Sequence, residues 1–127
     1  MPVEYDDSMW PVVTLRMIDR LTESEEDEFI EFAMVPPRRH EPYVGLIDLV
    51  RAQTPSARFV RKQASAMARY EEAIATYCRG TAFVANSPMI RGAIRAVLHL
   101  QRLPCPRFVT ATNDAAWAWA RGQLPSE

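Results

Sequence analysis

A chain of 127 residues with 48% hydrophobic and 24% charged residues is long enough for one domain with its own core and needs no disulfides or metal to hold it. With a net charge of −1 and no apolar run near the roughly 20 residues of a membrane span, neither a transmembrane helix nor a nucleic-acid interface is expected. The acidic opening (Glu4, Asp6, Asp7) lacks the basic and apolar regions of a signal peptide, so Cys78 and Cys105, the only cysteines, are expected to be reduced and buried in a cytoplasmic protein.

Val3-Glu4-Tyr5 alternates weakly, Asp6-Asp7-Ser8 is a turn cluster, and Trp10 to Ile18 is rich in strand formers, so residues 1–18 read as an antiparallel hairpin. Thr22 with Glu25 and Ser24 with Asp27 both have capping-box spacing, and the acids that follow suit the positive end of a helix dipole. Phe29, Ile30, Ala33 and Met34 form the apolar stripe of that first helix. Pro36-Pro37 ends it, and residues 36–42 read as an exposed connector.

Tyr43 to Val50 is apolar almost throughout and predicts a buried central strand with Asp48 near its carboxyl end. Thr54 is placed to cap a second helix with Pro55 in its first turn, running to about Arg79 and ended by Gly80. Val60, Ala64, Met67, Ile74 and Cys78 form its stripe, with Phe59, Tyr70 and Tyr77 in an adjoining row. That stripe is wider than one sheet contact needs. Thr81 to Ala85 is a short strand, and Ser87-Pro88 starts a third helix with Ile94, Val97 and Leu98 inward. Phe108 to Ala111 is the last strand, and Asn113 caps a helix that turns Ala116, Trp117, Ala120 and Leu124 inward. The order ββαβαβαβα specifies one α/β domain over residues 1–127, with a mixed, mostly parallel sheet and helices packed against both faces.

Catalytic chemistry is thin along this chain. The four glycines stand singly, so no phosphate-cradling loop exists, and His40 and His99 are far apart in unrelated segments. Asp48 lies at the strand edge where ligands bind in open α/β sheets, but no second acid accompanies it, and a loop hydrogen-bonding role is expected. The hydroxyls Thr54, Ser56, Ser87 and Thr112 begin helices at that same edge. With Arg91 and Arg51 they outline a candidate anion-binding or phosphoacceptor edge, although plain capping explains them too. Cys78, read as the end of a helix, is not expected to be nucleophilic. No cofactor and no metal is implied.

Charge is segregated: residues 1–35 hold ten acids and two bases, the other 92 residues six acids and thirteen bases. Glu25 and Glu28 on the first helix and Arg58, Arg61 and Lys62 on the second are therefore candidate partner surfaces.

Several stretches resemble the STAS and SpoIIAA-like superfamily. They are Tyr77-Cys78-Arg79-Gly80-Thr81-Ala82-Phe83-Val84, Ser87-Pro88-Met89-Ile90-Arg91-Gly92-Ala93, Ala118-Trp119-Ala120-Arg121 and the opening Asp7-Ser8-Met9-Trp10-Pro11. The resemblance covers Tyr43 through Leu124, is similar to small stand-alone bacterial members, and implies the fold of that superfamily with regulatory or binding roles. In its anti-sigma-factor antagonists an Asp-Ser pair at a helix start carries a serine that a partner kinase phosphorylates. Here Ile47-Asp48-Leu49 matches the strand, the Asp-Ser pair is absent, and Thr54 or Ser56 would have to stand in. The expectation is a non-enzymatic regulatory or scaffolding module with a protein partner or a second copy of itself, and no nucleic-acid or membrane partner. The alternative is a carrier of a small molecule or lipid, with Phe59, Tyr70, Trp117 and Trp119 as surplus apolar side chains. A phosphoryl-transfer or hydrolytic enzyme built on Asp48 ranks third.

Overall fold

The computed structural model describes residues 2–100 and 103–124, with the side chain of Leu100 left aside. The chain forms β1 (Val3–Asp6), β2 (Val12–Met17), α1 (Glu23–Ala33), β3 (Tyr43–Asp48), α2 (Ala57–Arg69), α3 (Glu71–Tyr77), β4 (Cys78–Val84), α4 (Pro88–Leu100), β5 (Arg107–Thr110) and α5 (Asn113–Gln123). The five strands form one sheet in sequence order, β1-β2-β3-β4-β5, with β1 antiparallel to β2 and all other pairs parallel. The predicted hairpin and the mostly parallel sheet are therefore both present.

Helices cover both faces, as expected, but unevenly. Because the parallel strands add in one direction, right-handed crossovers place every connecting helix on the same side. Phe29 of α1 and Phe59 of α2 pack with Val3, Leu15 and Met17, and Ile74 of α3 packs with Tyr43 and Cys78. The opposite, outer face is covered by α5 alone, which seats Ala116 and Ala120 against Leu46, Ala82 and Val84 and against Val12 and Val44. Trp119 of α5 approaches so closely that a Cβ at Gly80 would stand 2.6 Å from its ring, which is why β4 needs glycine there.

Three local readings are corrected. The single long helix is two, broken at Tyr70, where the backbone leaves helical geometry (φ −106, ψ 17) as that side chain joins the Met34, Tyr43 and Ile74 cluster. No Gly or Pro marks the break, so the sequence pattern ran through it. Second, β4 begins at Cys78, and Gly80 is a strand residue rather than a helix terminator. Third, the connector after α1 is a 3₁₀ turn over Pro36–Arg39 with Pro36 and Pro37 buried, so only its later part is exposed.

Caps follow hydroxyl geometry closely. Thr22 and Glu25 form the expected capping box. The caps of the second and last helices each lie off the residue expected: Ser56, not Thr54, accepts from Phe59 N (3.0 Å), and Thr112, not Asn113, accepts from Ala115 N (3.2 Å).

Candidate functional site: an apolar cavity between sheet and helices

The two faces of the sheet are packed very differently. On the outer face Leu46, Ala82 and Val84 are 0% exposed. On the inner face Ile47 and Phe83, one residue from the carboxyl ends of β3 and β4, are only half-buried. The helices above them stand off the sheet. Val60 and Met67 of α2, and Ile90, Ala93, Ile94 and Val97 of α4, present apolar stripes that are also only half-buried. Between these stripes and the strands lies a cavity of about 200 Å³.

Its floor is Val13, Leu15, Gly45, Ile47, Thr81 and Phe83; its walls are Phe29 and Phe32 of α1, Phe59, Val60 and Met67 of α2, and the α4 stripe. Gly45 matters here because it has no side chain. A Cβ there would touch only Thr81, at 3.6 Å, so the glycine leaves room that a larger residue would occupy. Gln53, Thr54 and Pro55 line the end at the carboxyl edge of the sheet, and the exposure of Gln53 and Thr54 marks that end as the mouth. Tyr43, Ile74, Cys78 and Leu103 line the opposite end.

The lining includes no Asp, Glu, Lys, Arg or His among the described residues. Its ionisable groups are two tyrosines and one cysteine. Burial raises the Tyr43 phenol far above its ordinary value, and burial followed by the nearby Asp7 charge raises Tyr5, so both rings stay neutral at physiological pH. Two buried polar atoms of lining residues, Tyr5 Oη and Gln63 Oε1, have no hydrogen-bond partner among the described residues. Each such orphan costs about 1–3 kcal/mol in a folded protein.

At the inner end Cys78 Sγ lies 3.3 Å from Cys105 Sγ, 3.4 Å from Thr81 Oγ1 and 3.3 Å from the Gly80 carbonyl oxygen. The hydrogen bond from Cys105, with that of Thr81, lowers the Cys78 thiol to about 6 against the opposing effect of burial. Cys105 moves the other way: its bond to Cys78 and its burial keep it protonated. Two thiolates at this separation would repel, so one proton stays on the pair.

The edge predicted from the helix starts does not assemble into one site. Asp48 points to the outer face, where Oδ2 accepts from Arg16 Nε (3.0 Å) and Oδ1 from the Val50 amide (3.0 Å). Ser56, besides capping α2, donates to Glu26 Oε2 at 2.7 Å, and a phosphate there would meet that carboxylate. Ser87 accepts weakly from Ile90 N (3.4 Å), and Arg91 donates to the Ala85 carbonyl at 2.8 Å. Thr54 lines the cavity mouth.

The segregated charges meet within the chain. Arg58 pairs with Glu26 (3.0 Å) and Asp27 (3.2 Å), and Lys62 with Asp27 (2.6 Å). Glu25 is engaged in the Thr22 box, whereas Arg61 and Glu28 are exposed and make no ion pair with a described residue.

Of the four surplus aromatics only Phe59 lines the cavity; Trp117 and Trp119 pack under α5 and Tyr70 joins the α3 cluster. Gly45, Gln63, Thr81, Phe83 and the α4 stripe carry no ligand-binding motif in the sequence. Their available signal was the excess apolar width of the second helix together with a small residue in the central strand.

Among the described residues no group of three or more His, Cys, Asp or Glu could hold a metal ion, and no helix is long and apolar enough to cross a membrane. No family model matches this sequence, and no curated protein is similar to it. The chain has a SpoIIAA-like α/β fold, as the sequence resemblance implied. A similar solved structure is that of an uncharacterized protein of the DUF3478 family with a SpoIIAA-like fold from Shewanella loihica PV-4. It is 15% identical over 93% of this chain and 91% of that one, with a TM-score of 0.60.

Proposed function

We propose that the protein is a non-catalytic module that binds a small, uncharged, predominantly apolar molecule between the sheet and helices α1, α2 and α4. The observation that carries this reading is the cavity of about 200 Å³ with no charged residue in its described lining. Native interiors close-pack, and a void of this size forfeits packing contacts that a ligand would restore. For scale, an engineered apolar cavity of about 150 Å³ stays dry and takes benzene. A carboxylate or phosphate inside would have no counter-charge, so the ligand is neutral there.

The test is a matched series of 1-octanol, nonane and octanoate followed by thermal unfolding and calorimetry. Octanol or nonane raises Tm by several degrees and octanoate does not. Gly45→Val and Ala93→Phe, which fill the space from floor and wall, abolish the rise while leaving circular dichroism unchanged. No shift with either neutral probe sinks the binding reading, and an equal response to octanoate sinks the neutral-ligand part.

A second reading, a regulatory role through protein contact, is favoured by one surface feature. Met89, on the first turn of α4 at the carboxyl edge, is 78% exposed beside Ser87 and Arg91. An exposed methionine at that edge suits a docking contact on a protein partner or a second copy.

A further inference from the structure

Cys78 and Cys105 are 27 positions apart in sequence, and the fold brings their sulfurs to 3.3 Å. We propose that they form an oxidant-responsive site that closes to an intramolecular disulfide. Four observations place the reaction there. Cys78 lies in the cavity wall, and the cavity is open at its mouth, so a neutral, water-sized oxidant has a route to the sulfur. Cys105 is half-buried rather than sealed. Thr81 Oγ1 sits 3.4 Å from one sulfur and 3.6 Å from the other, within hydrogen-bonding reach of the thiolate. Finally, Cys105 stands between Pro104 and Pro106, whose fixed φ angles restrict the loop and hold the second sulfur where it is.

With hydrogen peroxide as oxidant the chemistry balances. The Cys78 thiolate attacks one peroxide oxygen; the S–O bond forms as the O–O bond breaks, and the departing hydroxide takes up the proton Cys78 released and leaves as water. Sulfur is oxidised to the sulfenic acid and the peroxide oxygen is reduced. The Cys105 sulfur then displaces the sulfenic oxygen from Cys78. The S–S bond forms, and the expelled hydroxide leaves as a second water with the Cys105 proton. Cys78 is the attacking sulfur because its thiol is the one lowered to about 6. The bond ties the loop through Leu103 to the first residue of β4, at the inner end of the cavity.

The readout needs no cavity ligand, so it stands apart from the binding reading above. Reduced protein is treated with a slight excess of hydrogen peroxide, quenched by alkylation under denaturing conditions, and weighed intact. The expected product is a monomer lighter by two hydrogen atoms with no alkylated cysteine. Cys105→Ser stops at a Cys78 sulfenic acid that dimedone traps. Cys78→Ser removes the attacking sulfur, so the treated variant loses no hydrogen atoms as a monomer and keeps Cys105 alkylatable. Two alkylated cysteines in treated wild type, over-oxidation without the mass loss, or disulfide-linked dimers as the product would each overturn the proposal. The wild-type measurement decides the matter even where a variant fails to fold.

Discussion

Asp48 illustrates how one side chain is claimed by structure rather than chemistry. Its carboxylate is buried to 4% residue exposure, yet both oxygens are engaged, one by the Arg16 guanidinium and one by the Val50 amide that begins the turn after β3. Removing its charge leaves Arg16 with Glu4 alone at that edge. Asp48→Asn is therefore expected to lower stability by about 2 kcal/mol in urea unfolding, because a charge-assisted bond to a partly buried group is lost. Binding of octanol should be unchanged, since Asp48 faces away from the cavity; loss of binding at full stability would contradict that placement. Gly80 and Gly45 divide along the same line. The first is small so that Trp119 can close on the outer face, the second so that the inner face stays open.

At the scale of elements, the pairing of α1 with α2 decides where the charge asymmetry goes. Glu26 is 7% exposed and receives both Ser56 Oγ and Arg58 Nη1, while the adjacent, exposed Asp27 receives Arg58 and Lys62. This latch holds the amino end of α2 against α1 while the middle of α2 stands off over the cavity. Glu26→Gln, which keeps the shape and loses the charge, is expected to cost about 1–2 kcal/mol in urea unfolding. The latch also has a pH signature. The bond from Lys62 holds the Asp27 carboxyl below its ordinary value, with Arg58 acting in the same direction. A carboxylate lowered by folding contributes stability in full above the unfolded value of about 3.9, and that contribution is lost as pH falls through the lower, folded value. Stability should therefore decline more steeply below about pH 4 in wild type than in Asp27→Asn; parallel acid limbs would remove Asp27 from the latch.

For the molecule as a whole, one sheet serves two purposes. Its outer face, sealed by α5, is the rigid half of the core, and its inner face is covered by helices that enclose space as well as fill it. Self-association between the acidic α1 and the basic α2 of another copy competes with the same contacts made inside one chain, so it falls to Arg61, Glu28 and the exposed Met89 edge. Light scattering at low and high salt separates the two. Association through the charged residues gives a dimer whose mass halves in high salt, association through Met89 gives one that salt does not dissolve, and Met89→Glu removes only the second. A monomer in every condition would eliminate both surfaces.

The sequence by itself determined the hairpin and the three parallel strands that follow it, because each is written in local alternation and apolar runs. Hydroxyl caps put the starts of the second and last helices within two residues but gave no start for α3, and the SpoIIAA-like fold was implied by the resemblance of particular stretches. The sequence also held the excess apolar width of the second helix, without saying what that width faced. Tertiary structure decided the rest. Only the monotonic strand order put four helices on one face. Only packing around Tyr70 broke the long helix, and only the distance of α2 and α4 from Ile47 and Phe83 turned an amphipathic stripe into a cavity wall. Pairings such as Cys78 with Cys105, Asp48 with Arg16 and Glu26 with Arg58 span 27 to 32 residues, and no periodicity reaches that far.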